Sequence, residues 1–422
     1  AGAQVLTSDK KHRPLIVIGK DTRLSCDMLE SAMVAGICSM GAEPICVGVV
    51  PTPAVAFLTG RYGADAGVVI SASHNSYEFN GIKFFDGNGY KLPDATESRI
   101  EQLILDSAPG WPDRPTHGAI GRRHSNYSAK EDYLGHLAEN GAIDLAGFRI
   151  ALDCANGAAF EVAPMLFGKL GAAVSAIHCE PNGTNINSGC GSTHMEELTR
   201  HTLRTGADIG FAFDGDADRV LAVDERGGLI DGDTIMAMIA IDMKNSGRLR
   251  NDTLVATIMS NIGLEIMAGN EGINLVRTAV GDRYVLEEMI KSGYNLGGEQ
   301  SGHVICLDGN TTGDGLYTAL LLSRILAESG KKASSMANVV KIMPQVILNA
   351  RVPNDKKFEC LDDPVISVQC RLLEKAFTGE GRVLIRPSGT EPLVRVMIEA
   401  RDRDMIRSKA EELASLIESR FA

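Results

Sequence analysis

The sequence predicts an α/β protein of three similar mixed α/β domains plus a C-terminal α+β domain, arranged around a central cleft. Three observations carry this reading. A strand–helix–glycine–strand unit recurs three times, each copy leads into a further strand whose end is loaded with polar residues, and the last segment breaks the pattern. Alternating strands and helices imply βαβ units and a mostly parallel sheet, where ligands gather at the carboxyl ends of strands. Three loaded strand ends in three similar domains therefore suit one shared cleft.

The first unit opens with the apolar run 15–18. Asp27 and Glu30 have the spacing of an N-cap and its N3 partner, and Leu29, Met33, Ile37 and Met40 recur at helical intervals until Gly41. A strand at 45–50 follows. The second copy runs from a strand at 148–152 through a helix carrying Val162, Leu166 and Leu170 to Gly171 and a strand at 174–177. The third is looser: a strand at 254–259, a helix near Ile262 and Ile266, Gly272, and a strand at 275–280. Next, ADAG leads into VVISASHN, ADIG into FAFDGDADR, and NLGG into GEQSGH. In the final segment an extended stretch at 345–352 precedes a helix near Pro364. Two strands flank RPSGTEP, and a closing helix carries Ile406, Ala410, Leu413 and Ile417 on one face. Joints rich in proline and glycine near 109–121, 224–232 and 343–344 give domains 1–120, 121–226, 227–343 and 344–422.

Size and composition agree. The chain has 422 residues, and about 150 residues per domain makes roughly three domains a natural expectation. A formal net charge of −12 without a basic block argues against a nucleic-acid surface, which rests on clustered Lys and Arg. Nine cysteines, odd in number and never spaced as CxxC, fit reduced thiols of a cytoplasmic protein. No apolar run is long enough to span a membrane, and the start lacks a signal-peptide pattern. A homodimer is compatible with all of this.

Four motifs carry chemistry. In DGDADR, Asp214, Asp216 and Asp218 alternate along a glycine-containing loop, so three carboxylates can turn to one point and hold a hard cation such as Mg²⁺. A calcium loop would want glycine at position six and glutamate at twelve; here Arg219 and Glu225 stand there, half the pattern. SASHN offers two serines at a strand end, followed by His74; by itself this is also what a turn or N-cap uses. Beside a carboxylate loop at the equivalent place in the next domain, it reads as a phosphoryl acceptor, with Lys83 placed to neutralise the transferring group. RPSGTEP gathers Arg386, Ser388, Gly389 and Thr390 in one tight turn, with Arg395 on the next strand. Arginine forks and amides around glycine suit a phosphate dianion, although an ordinary turn with surface arginines has the same composition. GEQSGH supplies Glu299 and Ser301 for sugar hydroxyls and His303 for acid–base work, or simply a hydrogen-bonded loop.

Together with IGKDTR, PTPA, NGIKFF, DCANGA, EPNGTNIN, VGDRYV and TTGDG, these motifs make the chain resemble the α-D-phosphohexomutase superfamily, in the family's order from about Pro14 to the C-terminus. The resemblance is closest to its amino-sugar branch. It implies four domains around a cleft, Ser73 as a phosphoserine, and Mg²⁺ held by Asp214, Asp216, Asp218 and a phosphoserine oxygen. It also implies a small-molecule sugar phosphate as substrate and a hexose 1,6-bisphosphate as intermediate. Glu299 and Ser301 would contact the sugar, and Arg386, Ser388, Gly389, Thr390 and Arg395 the phosphate. Lys83 and His303 match positions of the general acid or base. Arg23, Arg219 and His74 complete the expected catalytic set. The family's FGTDGIRG opening is absent, Ser76 replaces a common proline, and Ala217 replaces a frequent glycine in the metal loop.

Overall fold

The computed structural model describes residues 1–7, 10–105, 114–141, 143–388 and 391–421. The described residues form four sheets. The first holds β1 (Leu15–Lys20), β2 (Glu43–Val49), β3 (Ala66–Ile70), β4 (Ile82–Asp86) and β5 (His124–Ser125). The second holds β6 (Arg149–Asp153), β7 (Ala173–Ile177), β8 (Ile209–Phe213), β9 (Val220–Asp224) and β10 (Leu229–Ile230). The third holds β11 (Thr253–Thr257), β12 (Asn274–Thr278), β13 (Leu296–Gly298) and β14 (Val304–Cys306). The last is antiparallel: β15 (Gln345–Arg351), β16 (Arg382–Pro387) and β17 (Leu393–Glu399), in the order β15-β17-β16.

The threefold recurrence seen in the sequence is a topological repeat. The orders β4-β3-β1-β2, β9-β8-β6-β7 and β14-β13-β11-β12 are the same arrangement three times. In each, the first strand pairs parallel with the second and third, and the third pairs antiparallel with the fourth. The helices repeat as well. Cys26–Ser39, Ala159–Lys169 and Ile262–Glu271 join first to second strands, and Thr52–Arg61, Glu196–Thr205 and Asp282–Ser292 join second to third. Parallel strands need such crossovers, whereas the final antiparallel pair needs only a loop. SASHN, DGDADR and GEQSGH each lie in that loop, between the third and fourth strands.

Burial follows the pattern. Ile16 and Ile18 of β1 and Val68 and Ile70 of β3 are buried together, covered by Leu29 and Met33 of the first helix. That helix starts differently from the capping pattern. Its N-cap position is Ser25, without a side-chain cap, and Asp27 lies inside the first turn. The reason is electrostatic: Lys20 at the end of β1 donates to Asp27 at 2.6 Å and to Glu30 at 2.7 Å, so the two acids serve the strand end instead.

By internal contacts the chain separates into two compact units, Ala1–Met259 with Asn274–Asn338, and Ser260–Ile273 with Val339–Ala422. The helix Ile262–Glu271 belongs to the second. Asn261 caps it, and its side chain also bonds the Met343 backbone and the buried Glu399, which Arg382 neutralises at 2.8 Å. All nine cysteines are free thiols. No helix among the described residues is long and apolar enough to cross a membrane.

Candidate active site

The loops after β3 and β8 meet in the first unit. Ser73 Oγ donates to Asp214 Oδ2 at 2.6 Å. Asp214, Asp216 and Asp218 are all buried, and their carboxylates can offer oxygens within 4.8 Å of one another. Close backbone packing makes the meeting possible. A Cβ on Gly215 would lie 2.5 Å from the Ser73 carbonyl, and one on Gly157 would lie 2.3 Å from the Gly215 carbonyl. Ser73 itself sits at φ 51°, a left-handed conformation that the surrounding hydrogen bonds must impose.

Those bonds come largely from Arg23. Its Nε donates to Asp21 at 2.8 Å, and its remaining N–H groups bond the carbonyls of Ser73, Asn75, Ser76 and Phe79. All five donors of the guanidinium are thus occupied. Asp21 extends the network through Ser71, whose hydroxyl donates to it at 2.6 Å and accepts from the Ser73 amide at 3.0 Å. From the other side, Asn187 Nδ2 donates to the Ser73 and Asn75 carbonyls at 2.8 and 2.9 Å. Asn187 and Thr52 escaped the reading from sequence, although both lie in noted motifs, EPNGTNIN and PTPA. Thr52 opens the helix Thr52–Arg61, and its hydroxyl and amide bond the side chain and carbonyl of Asp216 at 2.6 and 2.9 Å.

Three acids in one buried loop need positive charge. Lys83, on β4, donates to Asp216 at 2.6 Å and Asp218 at 3.4 Å. Burial works against its charge, but Asp216 and then Asp218 hold the ammonium well above the ordinary lysine range. Burial, followed by repulsion from Asp218 and Asp216, pushes Asp214 well above the usual carboxylate range. For Asp218 burial acts upward too, yet Lys83 and then His303 outweigh it and hold the carboxyl well below that range. Asp216 Oδ1 and Asp218 Oδ1 nevertheless remain buried without a hydrogen-bond partner. Unpaired buried carboxylate oxygens are costly, and a cation touching both removes that cost. The donor set therefore fits a hard divalent metal ion.

Arg219 donates its amide to Asp214 at 3.2 Å and points NH1 at His74 Nδ1, also at 3.2 Å. Desolvation, then the Arg219 charge, lower the pKa of the His74 ring. His303 is only 2% exposed, with its ring nitrogens 3.5 Å from Asp218 and 3.3 Å from Asp282. A Cβ on Gly313 would collide with that ring, so the TTGDG segment closes its other side. Glu299 accepts the Gly281 amide at 3.1 Å, and Ser301 is exposed. Their loop is tied to the strand that follows the aspartate loop by the Val220 amide, which donates to the Gly302 carbonyl at 3.1 Å.

In the second unit, Arg386 and Arg395 stand directly opposite each other on β16 and β17. Like charges in that register repel, which suits a site that receives an anion. Ser388 is buried, its hydroxyl accepts from the Glu391 amide, and its carbonyl accepts from Lys357 at 2.5 Å. Lys357 was not legible in the sequence, where it is one of two adjacent lysines in a polar stretch. Gly389 and Thr390 lie outside the described residues.

Known proteins align with this chain throughout. Models of the phosphoglucomutase/phosphomannomutase family match in sequence: alpha/beta/alpha domain I at residues 1–109, domain II at 131–228, domain III at 231–343 and the C-terminal domain at 347–416. A phosphoglucosamine mutase of Ruminiclostridium cellulolyticum is 58% identical over 422 residues, covering 100% of this chain and 94% of that protein. One from Acetivibrio thermocellus is 57% identical over 421 residues, with the same coverage of 100% and 94%. Among solved structures, a phosphoglucomutase/phosphomannomutase family protein from Burkholderia thailandensis superposes with a TM-score of 0.78 at 23% identity, over 98% of this chain and 92% of that one.

Proposed function

The chain belongs to the α-D-phosphohexomutase superfamily, and from that premise we propose that it interconverts glucosamine 6-phosphate and glucosamine 1-phosphate through a phosphoserine at Ser73. The observation that carries the reading is the 2.6 Å bond between Ser73 Oγ and Asp214, within a loop of three buried carboxylates. An unassisted serine hydroxyl is a poor phosphoryl carrier, and this arrangement supplies what it lacks.

In the forward direction, phosphoserine 73 gives its phosphoryl group to the free sugar hydroxyl. The P–Oγ bond breaks as the new P–O bond forms, giving glucosamine 1,6-bisphosphate. The bisphosphate turns over and returns its other phosphoryl group to Ser73, so no phosphate is consumed. Asp214, Asp216 and Asp218 would hold Mg²⁺, which would supply charge neutralisation to the transferring group. Lys83 stays charged and adds to that neutralisation. Arg219 lends a donor toward the phosphoryl group. His74, exposed and with a lowered pKa, is suited to take the hydroxyl proton at Nδ1 once Arg219 turns from that nitrogen to the phosphoryl group. His303 lies behind Asp218 and acts through it, orienting a ligand rather than meeting the sugar. Arg23 is likewise a positioning residue, since none of its donors is free. Glu299 and Ser301 are assigned to sugar hydroxyls. Arg386, Ser388 and Arg395, with Gly389 and Thr390, are assigned to the phosphate that is not reacting.

The test is a comparison of kcat/KM for the 6-phosphates of glucosamine, glucose and mannose. Glucosamine 6-phosphate is expected to be preferred, with an isomeric sugar phosphate as product. Preference for a neutral sugar moves the chain to the phosphoglucomutase/phosphomannomutase alternative, and release of inorganic phosphate overturns mutase chemistry. A second measurement probes the clamp. Arg23→Lys keeps the charge but cannot reach four carbonyls, so kcat is expected to fall about 10²-fold with KM little changed, the effect of a misplaced nucleophile. An unchanged kcat means the Ser73 loop holds its shape without that guanidinium.

A further inference from the structure

Behind the loop that positions Ser73 lies a second constellation that the mutase reaction does not use. Asp153 ends β6, His178 follows β7, and Cys190 sits in the loop that also carries Asn187. The β6–β7 register pairs Asp153 with Ile177, which brings His178 one step past it. A carboxylate oxygen, a ring nitrogen and a thiol from these residues all lie within 4.8 Å of one another. Asp153 and Cys190 are both fully buried.

The imidazole of His178 provides a second, independent observation. Its Nε2 lies 3.1 Å from Glu197 Oε2, while Nδ1 lies 3.0 Å from Asp153 Oδ1 in a geometry that makes no hydrogen bond. Nδ1 is buried, with the Asp153 carboxylate as its one ionic contact and no well-aligned hydrogen bond. With the proton on Nε2 toward Glu197, the Nδ1 lone pair turns inward, the arrangement by which metal-ligating histidines are oriented. Nδ1 faces the Asp153 carboxylate, which raises the pKa of the ring, so the charge there calls for a cation, either the ring's own proton or a metal ion. Asp153 is itself held in place: Oδ1 accepts from the Ala155 amide at 2.9 Å and Oδ2 from the Gly191 amide at 3.0 Å, leaving lone pairs directed at the site. Two facing lone pairs repel unless something positive lies between them.

We propose that Asp153, His178 and Cys190 form a second metal site, for a borderline-soft divalent cation of the zinc class. Mixed oxygen, nitrogen and sulfur donors suit zinc and disfavour magnesium, which takes oxygen ligands. Three protein ligands bind the ion with a fourth position left to water, and the Cys190 proton is released to solvent on binding. The ion staples the ends of β6 and β7 to the loop holding Asn187, whose amide donates to the Ala155 carbonyl at 2.9 Å and whose side chain holds the Ser73 carbonyl. Its role is to stiffen that support, apart from the phosphoryl-transfer step.

The test uses the full chain, stripped with chelator and titrated with Zn²⁺ or Co²⁺ while saturating Mg²⁺ occupies the aspartate loop. One equivalent of zinc is expected to bind and raise the melting temperature, and cobalt is expected to show a thiolate charge-transfer band. Cys190→Ser should lose that band. Glu197→Gln, at an exposed position away from the buried core, should weaken zinc binding about 10–100-fold, and its fold is secure even if Cys190→Ser fails to fold. The proposal is overturned if the wild-type chain takes up no zinc under these conditions, which makes the group an imidazolium held between two acids. It is equally overturned if Cys190→Ser and Glu197→Gln keep the wild-type affinity and cobalt spectrum.

Discussion

Replacing Ser73 by alanine is expected to abolish turnover, with kcat falling by at least about 10⁴-fold, while the protein stays folded. The magnitude follows from the role: a covalent carrier has no substitute nearby, and removing the nucleophile of a covalent mechanism typically costs that much. Stability should change by only about 1–2 kcal/mol, because one hydrogen bond to Asp214 is lost and alanine meets the same backbone demands at φ 51°. Intact mass gives an independent readout. Wild-type protein taken from active preparations should carry an added phosphoryl group of about 80 Da that the variant lacks. Substantial mutase activity in Ser73→Ala would remove the phosphoserine from the mechanism, and with it the reading of the whole loop.

The second large effect is expected at Asp216. Asp216→Asn preserves size and the acceptor for the Thr52 hydroxyl, but it deletes one of three negative charges and a partner of Lys83. The weakened site should need far more Mg²⁺ for half-maximal activity, and kcat should fall about 10²–10⁴-fold even at saturating metal, the scale of losing several kcal/mol of charge stabilisation. The fold should survive, since relief of carboxylate repulsion offsets part of the lost ion pair. Chelator should silence the wild-type enzyme in the same way, with activity restored by added Mg²⁺. A variant whose Mg²⁺ dependence and kcat both match wild type would show that this loop does not hold the catalytic ion.

Much of this was legible from the chain alone, for local physical reasons. Three acids at alternating positions after an apolar strand suit a cation better than a surface turn, and the spacing of Ser71 after Gly67 matches that of Asp214 after Gly210. Other residues were hidden because their importance lies in contacts far along the chain. Asn187 reaches Ser73 across 114 positions and Thr52 reaches Asp216 across 164, and neither distance leaves a local pattern. Arg23 and His303 were recognised as site residues, but their place in the network could not be read. Only the tertiary contacts show that one grips backbone carbonyls and that the other lies 3.5 Å from the Asp218 carboxylate. The Asp27 cap failed for a related reason, since Lys20 on the preceding strand competes for the same acid.

What the sequence determined by itself was the list of parts: a repeated βαβ unit, a polar loop at the same point of each repeat, and a separate C-terminal domain. These follow from hydrophobic period and turn chemistry, which act over a few residues. The tertiary structure alone decided which loops touch, which charges are neutralised, and that the helix Ile262–Glu271 packs with the C-terminal residues. Those outcomes depend on burial, and burial is set by residues that meet only once the chain has closed on itself.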